Sequence, residues 1–210
     1  MGKKLIFVFF LCFLIISVFI IKPVEVNAYR LISLDFYSGG NYNTYNLSVF
    51  EEWVNNSYGV EEKFNGGFGY YFGTRQWVGI GRLENLAFGG EIELMNVSYS
   101  EIDVSLSNMG ILLTAAYRLS GMFDDFRGEI LLIGAGGIYL ANLVDEELDI
   151  GRIEENYLGP GFKIVLESSF PLTQQLSIGG RGGYRFSQPH SEGDINFSGF
   201  EVGLKVELSF

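Results

Sequence analysis

The chain has 210 residues, with 16 % aromatic residues, 28 glycines and only 4 prolines. Such a blend suits one domain of many strands that bend and pack closely, more than a helical domain. The formal charge of −11 argues against a nucleic-acid partner, which would favour a basic face.

Taken from the amino end, the first unit is a leader. Lys3 and Lys4 precede an apolar run over 5–21, and KPVEVNA follows it. Val26 and Ala28 have the spacing that a signal peptidase prefers, so a signal-peptide helix over 1–28 is expected, cleaved after Ala28. The run is also near the lower limit of a spanning helix, which makes an uncleaved anchor the alternative. Cys12 reads as one more apolar residue of the run, and cleavage leaves a chain with neither disulfide nor thiolate chemistry. Loss of Lys3, Lys4, Lys22 and Glu25 removes a net +2, taking the charge from −11 to −13.

Eight alternating segments follow, over 30–37, 64–73, 88–99, 104–119, 128–143, 158–170, 176–186 and 197–210. Most are about ten residues or longer, the span of a tilted strand across a bilayer core and roughly twice a soluble strand. The last is the cleanest. Phe200, Val202, Leu204, Val206, Leu208 and Phe210 fall on one side, with Glu201, Lys205 and Glu207 on the other. The fifth segment, GEILLIGAGGIYLAN, is apolar on both sides, so its register is open. A bulge near Met95 is expected to switch the faces of the third.

The connectors over 38–63, 144–157 and 187–196 are long or acidic, whereas those over 120–127 and 171–175 are tight. An even number of strands with longer loops at one end is the plan of an outer-membrane barrel. The 74–87 connector departs from it in length. On this plan Phe72, Tyr117, Phe170 and Phe210 are the last outward residues of the returning strands, forming a periplasmic aromatic girdle at headgroup level.

With this alternation, and with FEVGLKVELSF at the carboxyl end, the chain resembles the small eight-stranded outer-membrane barrels of the outer-membrane-protein-A-like superfamily. The resemblance implies an all-β fold over 29–210: an eight-stranded antiparallel transmembrane up-and-down barrel. It also implies that the row from Phe200 to Phe210 is the signal read by the barrel-assembly machinery. The expected surroundings are outer-membrane lipids, and the expected state is a monomer.

The inward set follows from the same registers. Asp35, Glu91, Glu93, Glu129, Glu167, Glu201 and Glu207 are expected to share the lumen with Arg118, Lys163, Arg181, Arg185 and Lys205. Inward glycines at 67, 69, 179, 183, 199 and 203 are expected to make room for the long basic chains. Eight strands enclose just enough room for side chains, and isolated buried ions are expensive. An ion-pair network that plugs the barrel is therefore expected, with a narrow polar channel or a conduit for small apolar molecules as the alternative.

Chemistry is sparse. His190 is the sole histidine, and with Ser187 or Ser191 it could imitate the pair of a rim lipid hydrolase. A solvated loop histidine is the plainer reading, and no enzyme activity is expected. No cofactor motif or metal-ligand spacing is found. The acidic loop Asp145, Glu146, Glu147, Asp149, Glu154, Glu155 could take divalent cations but reads first as a solvated run. In the first loop, Ser48 and Glu51 have capping-box spacing, predicting a short helix with Val49, Phe50 and Trp53 on its apolar side. A secreted lipocalin-like binder would need an apolar interior, against the inward charges. The reading is thus a non-enzymatic, porin-like membrane protein of the cell envelope.

Overall fold

A computed structural model describes residues 30–59, 61, 63, 66–79, 85–98, 104–119, 128–145, 153–189 and 195–210. The expected signal peptide lies outside them, as do His190, Ser191 and most of the acidic third loop. The elements are β1 (Arg30–Asn43), α1 (Ser48–Tyr58), β2 (Gly67–Gly79), β3 (Leu86–Ser98), β4 (Val104–Arg118), β5 (Glu129–Asp145), β6 (Ile153–Pro171), β7 (Leu176–Ser187) and β8 (Gly199–Ser209). The strands form a closed barrel in sequence order. Closure is antiparallel between β1 and β8, from Asp35↔Ser209 to Asn43↔Glu201. Leu34 and Phe210 exchange two backbone hydrogen bonds beyond it, at 3.1 and 2.9 Å.

All eight expected strands are present, with two corrections and one open register resolved. The 74–87 connector is mostly strand, since β2 runs to Gly79 and β3 starts at Leu86. Outward Thr74 and Gln76 hide this in the sequence, while Arg75 and Trp77 keep the inward period. The bulge at Met95 does not occur: β3 keeps one register with β4 from Leu86↔Tyr117 to Ser98↔Ser105. In the fifth segment Leu131, Ile133, Ala135, Tyr139, Ala141 and Leu143 face inward.

The apparent slip at Met95 has a different cause: the two faces exchange polarity there. Outward Asn96, Ser107, Asn142 and Asn156 lie side by side across β3 to β6. The next outward row, toward the turn at 172–175, is Leu94, Met109, Leu140 and Leu158. From that row to the turn end, no Lys, Arg, Asp or Glu projects outward among residues 33–210 whose side chains are described. Apolar side chains stand exposed there, Leu113 at 79 % and Leu204 at 76 %. Beyond the Asn row, at the loop end, the inner face becomes apolar instead, with Met95, Val97, Val104, Leu106, Ala141 and Leu143 buried. Because β6 starts at Ile153 while β7 stops at Ser187, opposite Gly161, this wall stands taller than the β7 side.

The first loop fills the space inside the tall wall. Tyr45 and Leu47 lead into α1, whose Phe50 and Val54 are buried in one apolar cluster with the wall and with Ile195 and Phe197. The helix stops at Gly59, whose φ of 69° suits glycine and whose N–H donates to the Asn55 carbonyl at 2.9 Å. The capping box does not form. Leu47 occupies the N-cap without a side-chain hydrogen bond, and the Ser48 hydroxyl turns to Asn46 Oδ1. Of the expected apolar side, Phe50 is buried, while Val49 and Trp53 remain 48 % and 41 % exposed.

Candidate functional site

The barrel interior concentrates what chemistry the chain has. Because side chains alternate along each strand, six strands project ionic groups into one narrow lumen, whereas β4 and β5 offer Leu112, Ala116, Leu131 and Ile133. Asp35, Glu91, Glu93, Lys163, Glu167, Arg181, Arg185, Glu201, Lys205 and Glu207 are all buried there, as the alternation predicts.

Asp35 apart, these groups form one connected ladder. Near the turn end, Lys205 Nζ meets Glu167 Oε2 at 2.8 Å and Glu207 Oε2 at 3.0 Å. Arg75 bridges the same two carboxylates at 2.9 and 3.3 Å. At mid-height Arg181 binds Glu91 at 3.1 Å and, through Nε, Glu201 at 2.8 Å. Lys163 sits between Glu91 and Glu93. Arg185 tops the stack, with Nη1 at 3.4 Å from Glu201 and 3.0 Å from Asn43 Oδ1, and Nε donating to the Phe197 carbonyl. Among the described residues, the lumen balances five cations against six carboxylates, Asp35 included.

Aromatic hydroxyls and rings complete it. Tyr37 donates to Glu91 at 3.1 Å, Tyr139 to Glu93 at 2.9 Å, and the Trp77 indole to Asp35 at 2.5 Å. The Arg181 guanidinium lies 3.7 Å over the Tyr71 ring, a favourable cation–π placement. The rings need the glycines: a Cβ at Gly73 would fall 2.6 Å from Tyr37, and one at Gly39 2.5 Å from Tyr71. The inward glycines therefore make room mainly for tyrosines and backbone rather than for Lys and Arg. At the loop end, burial pushes the Tyr45 hydroxyl up to about 12, so it stays neutral.

Some expectations shift position. Arg118 and Glu129 do pair, at 2.8 Å, but at the turn-end mouth, where both are about a third exposed at 31 % and 36 %. Tyr117 and Phe170 lie one residue before the ends of β4 and β6, Phe210 directly follows β8, and Phe210 meets Phe36 edge-on at 6.0 Å. Phe72 does not end its strand, because β2 continues to Gly79. Ser187 is fully buried at the top of β7 rather than displayed at a rim. Asp145 accepts a hydrogen bond from Tyr58, which ties α1 to the tall wall. Among the described residues no cluster of His, Cys, Asp or Glu could hold a metal.

Sequence reasoning missed Arg75, Tyr37, Tyr71, Trp77 and Tyr139. Arg75 and Trp77 fell in the presumed connector, and the doubly apolar fifth segment gave Tyr139 no side. The available signal was GYYFGTRQWVG, where Tyr71, Gly73, Arg75 and Trp77 keep an unbroken period of two.

Two solved structures share this fold. Neisserial surface protein A is 12 % identical with a TM-score of 0.52, over 87 % of this chain and 96 % of that one. Ail, the attachment invasion locus protein of Yersinia pestis, solved with the heparin analogue sucrose octasulfate, is 10 % identical with a TM-score of 0.53, over 85 % and 98 %. No family model matches the chain, and no curated protein is significantly similar to it. At such identities the likeness is one of fold: the closed, eight-stranded barrel of small outer-membrane proteins.

Proposed function

We propose that the chain is a non-enzymatic integral protein of a bacterial outer membrane, sealed along its axis, that supports envelope integrity or makes surface contacts through its loops. One observation carries this reading: an apolar belt surrounds a lumen filled by a ladder of ion pairs. In water such a protein would expose its greasiest side chains and bury its charges, contrary to the hydrophobic effect. In a bilayer each face meets its proper medium, since a Lys or Arg on the lipid side costs about 2–4 kcal/mol at mid-depth. On β4 the outward apolar run from Met109 to Tyr117 measures roughly 26 Å along the strand at ~3.3 Å per residue. Tilted by about 40°, it rises roughly 20 Å, most of the ~25 Å apolar band of an outer-membrane barrel.

Sealing follows from the ladder. Eight strands leave no room for both side chains and a water column, and the ion pairs cross the lumen at two heights. Planar-bilayer recording tests it: the reading expects no steady conductance, while stable open-channel currents would favour the narrow-channel alternative. Surface contact has an analogue in Ail, whose name speaks of attachment. Here, though, Glu51, Glu52 and Glu61 lie at the loop end and the chain is acidic, so a sulfated polyanion is a poor match. The assembly reading gives the outward row Phe200, Val202, Leu204, Val206, Leu208 and Phe210 to the barrel-assembly machinery, and the barrel acts as a monomer.

A further inference from the structure

The chamber inside the tall wall is built unlike the rest of the lumen. Its sides are Met95, Leu106 and Leu143 with their neighbours, all buried and apolar, and its floor is the top of the ionic ladder. Leu47, Phe50 and Val54 fill it, inserted from the first loop rather than from the wall. The fill matches the apolar lining but leaves polar groups orphaned. Asn108, 1 % exposed between Met95 and Ala141, has neither its amide nitrogen nor its oxygen hydrogen-bonded. Arg185, which reaches the chamber through the Phe197 carbonyl, keeps Nη2 unpartnered at 0 % exposure. A buried amide without partners is costly, and a purely structural plug would be served better by an apolar residue there. The helix that carries the plug has no N-terminal side-chain cap, and Tyr58 donates a hydrogen bond to Asp145 of the wall.

We propose that this loop-end chamber is a binding site for a small neutral amphiphile, an alkyl chain or ring carrying one hydroxyl or amide, and that Leu47, Phe50 and Val54 occupy it as the chain's own stand-in. Asn108 supplies a donor and an acceptor to the ligand's head, Arg185 Nη2 a further donor, and the wall takes the apolar body. A neutral head fits better than a carboxylate, because the lumen beneath already carries six carboxylates against five cations. Entry requires α1 to swing out, with its exposed Val49 and Trp53 leading. The site goes beyond the sealed-barrel reading and leaves it intact, since a chamber closed below by ion pairs is blind and conducts nothing.

Photolabelling with a diazirine-bearing octanol tests this on the full chain in lipid nanodiscs, with labelled residues mapped by mass spectrometry. The proposal expects saturable label on Met95, Leu106 or Leu143, removed by excess octanol, and only unsaturable label on outward Leu94, Met109 and Leu140. The double variant Phe50→Ala, Val54→Ala should raise the chamber label at least fivefold by emptying part of the plug. Asn108→Leu should lower it at least fivefold while the barrel still shifts its gel mobility on boiling. Adding Ala141→Phe to Phe50→Ala, which restores the lost volume, should abolish it. Label confined to outward residues in both wild type and the double variant would overturn the proposal. So would chamber label indifferent to Asn108→Leu. Conductance in the same preparations addresses the sealed lumen separately.

Discussion

Arg181 holds Glu91 and Glu201 from opposite walls and stacks on Tyr71. Such a residue illustrates the energetics of a closed polar lumen: the ladder as a whole offers little net stability over an apolar core, yet each member is indispensable once the others are buried. Arg181→Leu removes a shared cation from Glu91 and Glu201, leaving Glu91 to Lys163 and Glu201 to Arg185 at 3.4 Å. Urea unfolding from liposomes should show a loss of about 3–5 kcal/mol, the cost of breaking a buried pair from one side. On the outer surface the rule reverses. Leu113→Arg, at 79 % exposure beside Gly90 and Gly136, should cost about 2–4 kcal/mol in the same assay, as expected at mid-depth in lipid. Asn96→Arg, one step past the apolar belt, should cost less than 1 kcal/mol, roughly the interfacial value. Equal penalties at the two positions would contradict the placement of the membrane boundary.

At the loop end, strand and loop share one packing problem. Above the row of Asn96, Ser107, Asn142 and Asn156 the strands behave as those of a soluble protein, apolar inside and polar outside, and α1 supplies the missing half of the core. Phe50→Ala with Val54→Ala should therefore loosen only this end. Limited proteolysis between β1 and β2 should speed up at least tenfold, while the mobility shift of the barrel on boiling is retained. Loss of that shift would mean that α1 supports the whole fold. This exchange of faces also explains which elements were legible in the sequence. β8 and the lower part of β4 obey one alternation from end to end and were placed correctly, as were ten of the buried charges. β3 looked slipped because its polarity inverts at Met95 while its register does not. β2 looked short because Thr74 and Gln76 are polar on the outward side, which hid Arg75 from the ladder. The helix was legible as a helix, with Phe50 on its apolar side, but Val54 was not, because the buried side is chosen by the wall it meets rather than by local pattern.

For the whole molecule, the structure joins two barrels end to end: a membrane type with ionic contents and a short soluble type with an apolar plug. If each part closes the axis as proposed, the envelope stays sealed even when α1 is displaced. In planar bilayers the double variant at Phe50 and Val54 should be as silent as wild type, whereas Arg181→Leu combined with Arg75→Leu should admit current by dissolving both tiers of the ladder. Current through the first variant would place the seal in the loop instead. Which medium each face meets can be read residue by residue along β4. Spin labels at Ser105, Ser107, Met109, Ile111, Leu113, Ala115 and Tyr117, all outward, should be probed in bilayers with oxygen and a water-soluble nickel complex. Oxygen access should rise from Met109, peak near Leu113 and fall toward Tyr117, with nickel dominating at Ser105 and Ser107. Nickel access throughout, with no oxygen maximum, would contradict the account.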